Sequence, residues 1–215
     1  MISKVSISRI FSIIFIIIFT LATPALAAPG DTIRVSVATG GAQATASLNG
    51  SHHPSISADG RYVAFMSQAS NLVSGDTNGV EDVFIRDILT DTTTRVSVGT
   101  SSQANNSSFD PSISADGRYV AFYSWANLVG GDTNGTLDVF VRDTQDGITT
   151  RVSVDSNGVE ANRASYYPSI SADGRYVIFE SFATNLVRGD TNGEIDVFMH
   201  DTQTNTTSCI SVDSK

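Results

Sequence analysis

Cysteine is almost absent: Cys209 is the single one among 215 residues. No disulfide can close within the chain, so a stapled scaffold is excluded and a packed core has to hold the fold. Histidine is scarce as well. His52, His53 and His200 are the only three, and none stands at metal-ligand spacing. His52 and His53 are neighbours, so on a regular strand they would point to opposite faces. No Gly-x-Ser-x-Gly elbow occurs, which removes the α/β-hydrolase nucleophile. Beyond residue 27, no window of 11 residues carries a convincing helical period. Basic charge is short too: 13 Lys and Arg face 22 Asp and Glu, a formal charge of −9. That balance argues against nucleic acid or an anionic membrane surface as partner. It admits cations, basic proteins and neutral glycans.

One long apolar run is present, at the start. Lys4 and Arg9 precede Ile10–Ala22, and Ala25–Ala27 forms a small-x-small cleavage site. Residues 1–27 read as a signal peptide. The run falls short of the roughly 20 residues a membrane span needs, and no Cys follows it, which disfavours a lipoprotein. The mature chain is expected to begin at Ala28, secreted or periplasmic, with no membrane attachment after cleavage. Without Lys4 and Arg9, residues 28–215 carry 11 basic and 22 acidic residues, a net −11. Asn-x-Ser/Thr sequons at Asn49, Asn105, Asn106, Asn134 and Asn205 lie in loop-like stretches and take their meaning from the host.

What is present is repetition. "PSISADGRYV" begins at Pro54, Pro111 and Pro168, an interval of 57 residues each time. "RVSV" begins at Arg34, Arg95 and Arg151, and "CISV" takes its place at Cys209. Each repeat holds four short runs rich in β-formers, separated by turn residues. In the first repeat these are Ser55–Ser57, Tyr62–Ser67, Asp82–Arg86 and Thr93–Val98. The Ala-Asp-Gly between the first two is a hairpin signal in which Gly supplies a positive φ. The second run ("YVAFMS", "YVAFYS", "YVIFES") is apolar on both faces, which implies a strand buried on both sides. Four-stranded units stacked radially are propeller blades.

The motif "PSISADGRYVAFxS" resembles the blade element of TolB-like β-propellers, periplasmic relatives of the WD-repeat propellers, and the resemblance covers nearly all of Asp31 to Val212. It implies an all-β fold of three four-stranded antiparallel blades, about 54–98, 111–154 and 168–212, plus one extra N-terminal strand at 33–37. It implies little about activity, since propellers host enzymes, lectins and scaffolds alike. No TolB-type N-terminal domain precedes the blades, so a role in the Tol system is not carried over.

Closed propellers typically have 4 to 8 blades. Three blades with a complete last one are expected to leave unpaired edges. Three readings follow: further blades missing from this chain, a homodimer of three blades plus three, or an open fan. "SVDSK" at the end matches "SVDSN" at Ser153–Asn157, where the repeat continues, and this favours the first.

"GDTNG" and a following Asp recur in every repeat. They set Asp76, Asn78 and Asp82 in the first copy, Asp132, Asn134 and Asp138 in the second, and Asp190, Asn192 and Asp196 in the third. Alternating oxygen ligands, a Gly and a later carboxylate suit Ca²⁺. The same residues also suit a plain turn, since Asp and Asn cap their own backbone and Asn-Gly favours positive φ. The pattern is similar to the later part of integrin-type calcium loops, but the first ligand of that pattern falls on Ser74, Gly130 and Arg188. The first loop is the better metal candidate, because Glu81 adds a carboxylate there and Arg188 would repel a cation from the third. Affinity would be weak, with Kd on the order of 10⁻⁴ to 10⁻³ M.

Both long connections of each blade open on one face, and binding residues concentrate on such loops. The residues before each Pro differ between copies. His53, Asp110 and Tyr167 enter the innermost strand at the channel mouth and are candidate ligand contacts, as is Trp125 in the neighbouring loop. Met66, Tyr123 and Glu180 are equivalent and dissimilar. Nearly every carboxylate belongs to the repeat, which reads as blade structure rather than catalysis. The expected function is a non-enzymatic exported module that binds a protein or surface glycan. A Ca²⁺-stabilised structural module of a larger surface protein comes second, and a propeller-type glycosidase or lyase third.

Overall fold

The computed structural model describes residues 31–45, 50–99 and 102–212. The signal peptide over 1–27 and the sequon at Asn49 lie outside the described residues. Among the described residues every regular element is a strand. The first blade comprises β1 (Ser51–Ile56), β2 (Tyr62–Ser67), β3 (Asp82–Asp87) and β4 (Thr92–Arg95). The second comprises β5 (Ser108–Ile113), β6 (Tyr119–Ser124), β7 (Asp138–Asp143) and β8 (Ile148–Arg151). The third comprises β9 (Ser165–Ile170), β10 (Tyr176–Ser181), β11 (Asp196–Asp201) and β12 (Thr206–Cys209). Each blade is a separate antiparallel sheet whose strands pair in chain order. Among the described residues, no helix is long and apolar enough to cross a membrane.

The hairpin between the first two strands explains the Ser-Ala-Asp-Gly-Arg motif residue by residue. The Ser57 hydroxyl accepts the Tyr62 N–H at 2.9 Å and donates to Asp59 at 2.6 Å. Asp59 accepts the Arg61 N–H at 3.0 Å. Gly60 takes the left-handed conformation at φ 72°, where a Cβ is unfavourable. Arg61 reaches Asp87 at 2.7 Å, and its guanidinium lies 4.7 Å from the centre of the Tyr62 ring. The same contacts recur at Arg118–Asp143 and Arg175–Asp201.

The second strand of each blade is the core. Phe65 faces Phe84, Phe122 faces Phe140 and Phe179 faces Phe198 across neighbouring strands, with ring centres 5.9, 5.9 and 6.0 Å apart. All six rings are buried. Blades stack through their second strands and inner edges. The Tyr62 side chain lies against Gly117 of the next blade, and Tyr119 against Gly174. Ala58 N–H donates to the Ala115 carbonyl, and Ala115 N–H to that of Ala172, both at 2.9 Å. β1 touches β5 and β5 touches β9, so the first strands converge as the inner edge of a fan. The three sheets do not close a ring.

The last blade shows what stacking does. Ala64 and Ala121 are fully buried between blades, whereas their counterpart Ile178 is 39% exposed. At the other end Ile56 is 61% exposed, against 8% for Ile113. The expectation of a second strand buried on both faces therefore holds for the first two blades, and one face of the third lies open.

Three expectations need correction. The first strands begin earlier than Ser55, at Ser51, Ser108 and Ser165, because Pro54, Pro111 and Pro168 sit inside them rather than ahead of them. The fourth strands stop at Arg95, Arg151 and Cys209, and Val98 and Val154 then form single bridges to Gln103 and Glu160. The leading segment at 33–37 is not a strand. It makes one bridge, Val37 to Gln43, and its Val37 carbonyl accepts the Thr93 hydroxyl at 2.5 Å. Val98 and Val154 do the same for Thr149 and Thr207. The segment thus covers the outer part of the first blade as the end of each blade covers the next.

Candidate functional site

Ser51 pairs with Ser67, and Ser67 with Asp82, so the start of β1 shares one end of the sheet with the β2–β3 connection. β4 runs back toward that end, Arg95 facing Phe84. Both long connections therefore open on one face, as expected.

On that face each inner strand carries a bulge. Register shifts between His52 and Ser55, between Phe109 and Ser112, and opposite Ile178 and Glu180 in the third blade. His53, Asp110 and Tyr167 occupy the bulges with φ of 51°, 46° and 52°. Non-glycine residues there cost on the order of 1–3 kcal/mol each and cluster at functional sites. The prolines that follow have no N–H to give, and a bulge is where a strand tolerates that. Because the strain recurs in all three blades, it belongs to the blade. What differs between blades is the side chain that it presents.

The bulge also overturns the expectation that His52 and His53 diverge. Their Nδ1 atoms stand 2.8 Å apart. His53 Nδ1 lies 3.4 Å from the Asp110 carboxylate of the next blade and 3.1 Å from Met66 Sδ. His52 Nε2 lies 3.2 Å from Glu81, so Glu81 serves this cluster as well as standing beside the first Asp-Thr-Asn-Gly loop. Aromatic rings continue the line. Phe109 stacks on Tyr123 at 5.2 Å, Tyr123 meets Tyr166 at 6.5 Å and Tyr167 at 5.7 Å, and Tyr166 meets Phe182 at 6.0 Å. Burial, then the Asp110 charge, pushes the Tyr123 hydroxyl well above its ordinary range. Tyr167 is 58% and Trp125 46% exposed.

Of the four residues singled out from sequence, His53 and Asp110 meet directly, and Tyr167 joins their blades through Tyr123. Trp125 follows β6 in the position that Phe182 holds after β10, and makes no ring contact among the described residues. Phe182 was missed, and Phe109 and Tyr166 stood out from sequence only as varying positions before the prolines. Their signal was the drift of two repeat columns, 52/109/166 and 68/125/182, toward aromatic side chains.

The Asp-Thr-Asn-Gly loops are built as turns. Asn78 donates to Asp82 at 2.8 Å and to the Ala104 carbonyl at 3.1 Å, and accepts the Val80 N–H at 3.2 Å. Ser97 donates to Asp82 at 2.5 Å. Arg95 Nη1 stands 3.3 Å from Asp76 and 3.4 Å from Asp82. In the second blade Arg151 Nη1 lies 3.5 Å from Asp132, 3.6 Å from Asp138 and 2.8 Å from Glu160. Asp132, Asp138 and Glu160 are close enough together to hold a metal ion, but the guanidinium already lies among them. Burial raises the carboxyls of Asp76, Asp82 and Asp138, and brings Asp132 to about 6. In the first two loops a guanidinium stands against the carboxylates that Ca²⁺ would use, so an ion there would have to displace it. The third loop has Asn192 donating to Asp196 at 2.8 Å and Ser211 donating to it at 2.6 Å, with Cys209 in the place of the arginine.

No family model matches the chain, and no curated protein matches it. Solved structures similar to it include TolB from Acinetobacter baumannii, at 19% identity and TM-score 0.45, over 76% of this chain and 33% of that one. A putative TolB from Agrobacterium tumefaciens aligns at 18% identity and TM-score 0.47, over 74% and 48%. The β-propeller domain of the Trilobed protease from Pyrococcus furiosus aligns at 14% and 0.44, over 74% and 40%. The chain thus spans a third to a half of these proteins. The repeat motif and the sheet order together give a β-propeller repeat fold, three four-stranded blades in an open fan among the described residues.

Proposed function

We propose that the chain is an exported binding module that takes a protein partner on its loop face, at the aromatic and His–Asp ribbon along the inner edge. One observation carries the reading: strained bulges present His53, Asp110 and Tyr167 in three successive blades, and the rings of Phe109, Tyr123 and Tyr166 run beside them. Large rings on a rigid scaffold lose little entropy on binding, and Tyr and Trp dominate interface hot spots. Half-exposed Tyr167 and Trp125 give a partner apolar area, while the His53–Asp110 pair offers polar anchors.

The test is a binding comparison. Residues 28–215, as wild type, as Tyr167→Ala with Trp125→Ala, and as Asp146→Ala on the opposite face, are immobilised against host envelope proteins and against a glycan array. Loss of a saturable protein partner in the double variant alone supports the reading. Retention in the double variant contradicts it. Selective glycan binding makes the partner a surface glycan. Export rests on the composition of residues 1–27, and a recovered chain whose mass begins at Ala28 tests that part.

A further inference from the structure

The three Asp-Thr-Asn-Gly loops share one turn, but the third lacks the arginine, and among the described residues nothing there matches Gln103–Ala104 and Glu160–Ala161, which bond the first two loops. Arg95 and Arg151 put a guanidinium against two carboxylates in the first and second loops. The third has Cys209 there, yet keeps Asp190, Asn192 and Asp196. Two features are left over. Asp190 Oδ1 is buried and has no hydrogen-bond partner among the described residues. A cavity of about 360 Å³ is lined by Arg188, Asp190, Asn192, Asp196 and Cys209, among others. A buried carboxylate oxygen without a donor is costly, and a cation that also supplies N–H donors relieves it best.

We propose that the third loop is a pocket for a guanidinium group, the arginine side chain of another polypeptide. The chemistry is chosen by the chain itself, which fills the equivalent carboxylate pairs with arginine twice. Arginine carries its charge on a planar fork of donors suited to paired carboxylate oxygens, whereas lysine offers a compact, strongly hydrated ammonium. One source of the side chain is a second copy of this protein. Arg34 is exposed and bonds Gln43 at 2.5 Å, as Arg95 bonds Gln103 and Arg151 bonds Glu160, both at 2.8 Å. The other source is an arginine on a different protein.

The experiment titrates residues 28–215 with N-acetylarginine amide, N-acetyllysine amide and CaCl₂, following backbone amide resonances by NMR. The arginine derivative should give saturable shifts at Asp190–Asn192 and Ser211. Cys209→Ser should keep them. Cys209→Arg, which places the chain's own guanidinium in the cavity, should abolish them. Asp190→Asn should weaken binding by about tenfold or more. Sedimentation separates the sources: a dimer lost in both Arg34→Ala and Cys209→Arg assigns the arginine to a second copy, and a monomer that binds the amide assigns it to another protein. Three results overturn the proposal: arginine binding that survives Cys209→Arg, Ca²⁺ binding at the third loop without arginine binding, or arginine binding that appears only in Arg188→Gln, which would make Arg188 the occupant.

Discussion

The second and third Asp-Thr-Asn-Gly loops have the same turn and differ at a residue nineteen positions after the first Asp. In the second, Arg151 stands among Asp132, Asp138 and Glu160. In the third, Cys209 stands in the arginine's place and Asp190 Oδ1 has no hydrogen-bond partner among the described residues. The comparison teaches that a recurring carboxylate pattern does not define a metal site. Its meaning depends on what a later strand brings to it. The first loop, favoured from sequence for Ca²⁺, already holds a guanidinium, whereas the third borders a cavity.

The largest effect that sharpens this comparison should come from Arg151→Ala. It strands two buried carboxylates, and breaking such a pair costs about 3–5 kcal/mol. Cys209→Ala should cost less than about 1 kcal/mol. Urea midpoints of the two variants check both values.

A second contrast sets an inner blade against an end blade. Gly60 and Gly117 have φ of 72° and 76°, but a Cβ on Gly60 meets nothing within 4 Å, whereas one on Gly117 would stand 2.2 Å from the Tyr62 ring. Gly60→Ala should cost about 1–2 kcal/mol, the backbone term alone. Gly117→Ala should cost more, because the ring between the blades must shift. Equal melting shifts would break the contrast.

The pH dependence gives a smaller signature. Asp132 titrates near 6 when folded, raised by burial and then by Asp138, against an ordinary value of 3.8. Between those values the folded state holds a proton that the unfolded state has lost. Stability from this group therefore falls as pH rises through the window and is level above it. Asp132→Asn should flatten that slope in a denaturation series. Asp87 works in the opposite sense. Burial alone would raise it, but hydrogen bonds from Arg61 and Thr90 hold it at about 2, so its contribution is present above the ordinary value and is lost as pH falls toward 2. Smallest of all, Tyr167→Ala and Trp125→Ala should each change stability by about 0.5 kcal/mol or less, since both residues are about half exposed. A large loss would make them core residues rather than a binding surface.

Much of the fold was legible because the repeat states it three times. The Ser-Ala-Asp-Gly-Arg hairpin and the doubly apolar second strand each name their structure locally. The bulge was not legible. Pro54 reads as a strand boundary, and only cross-strand register shows that it lies within one, turning His53 toward His52 and Asp110. Nor was the role of Arg95 and Arg151, although their spacing from the aspartates is constant. A side-chain contact between a loop and a strand nineteen residues on follows from the sheet order, which local propensity does not carry. The aromatic ribbon fell between these cases, visible as repeat columns that drift toward rings but assembled only by blade stacking.

The most direct test of the central claim is the reciprocal exchange, Arg151→Cys in one variant and Cys209→Arg in another, each measured by its urea midpoint against wild type. The guanidinium account predicts opposite signs: a lower midpoint for the first and a higher one for the second. Two midpoints that both stay at the wild-type value, or a fall in both, would contradict it.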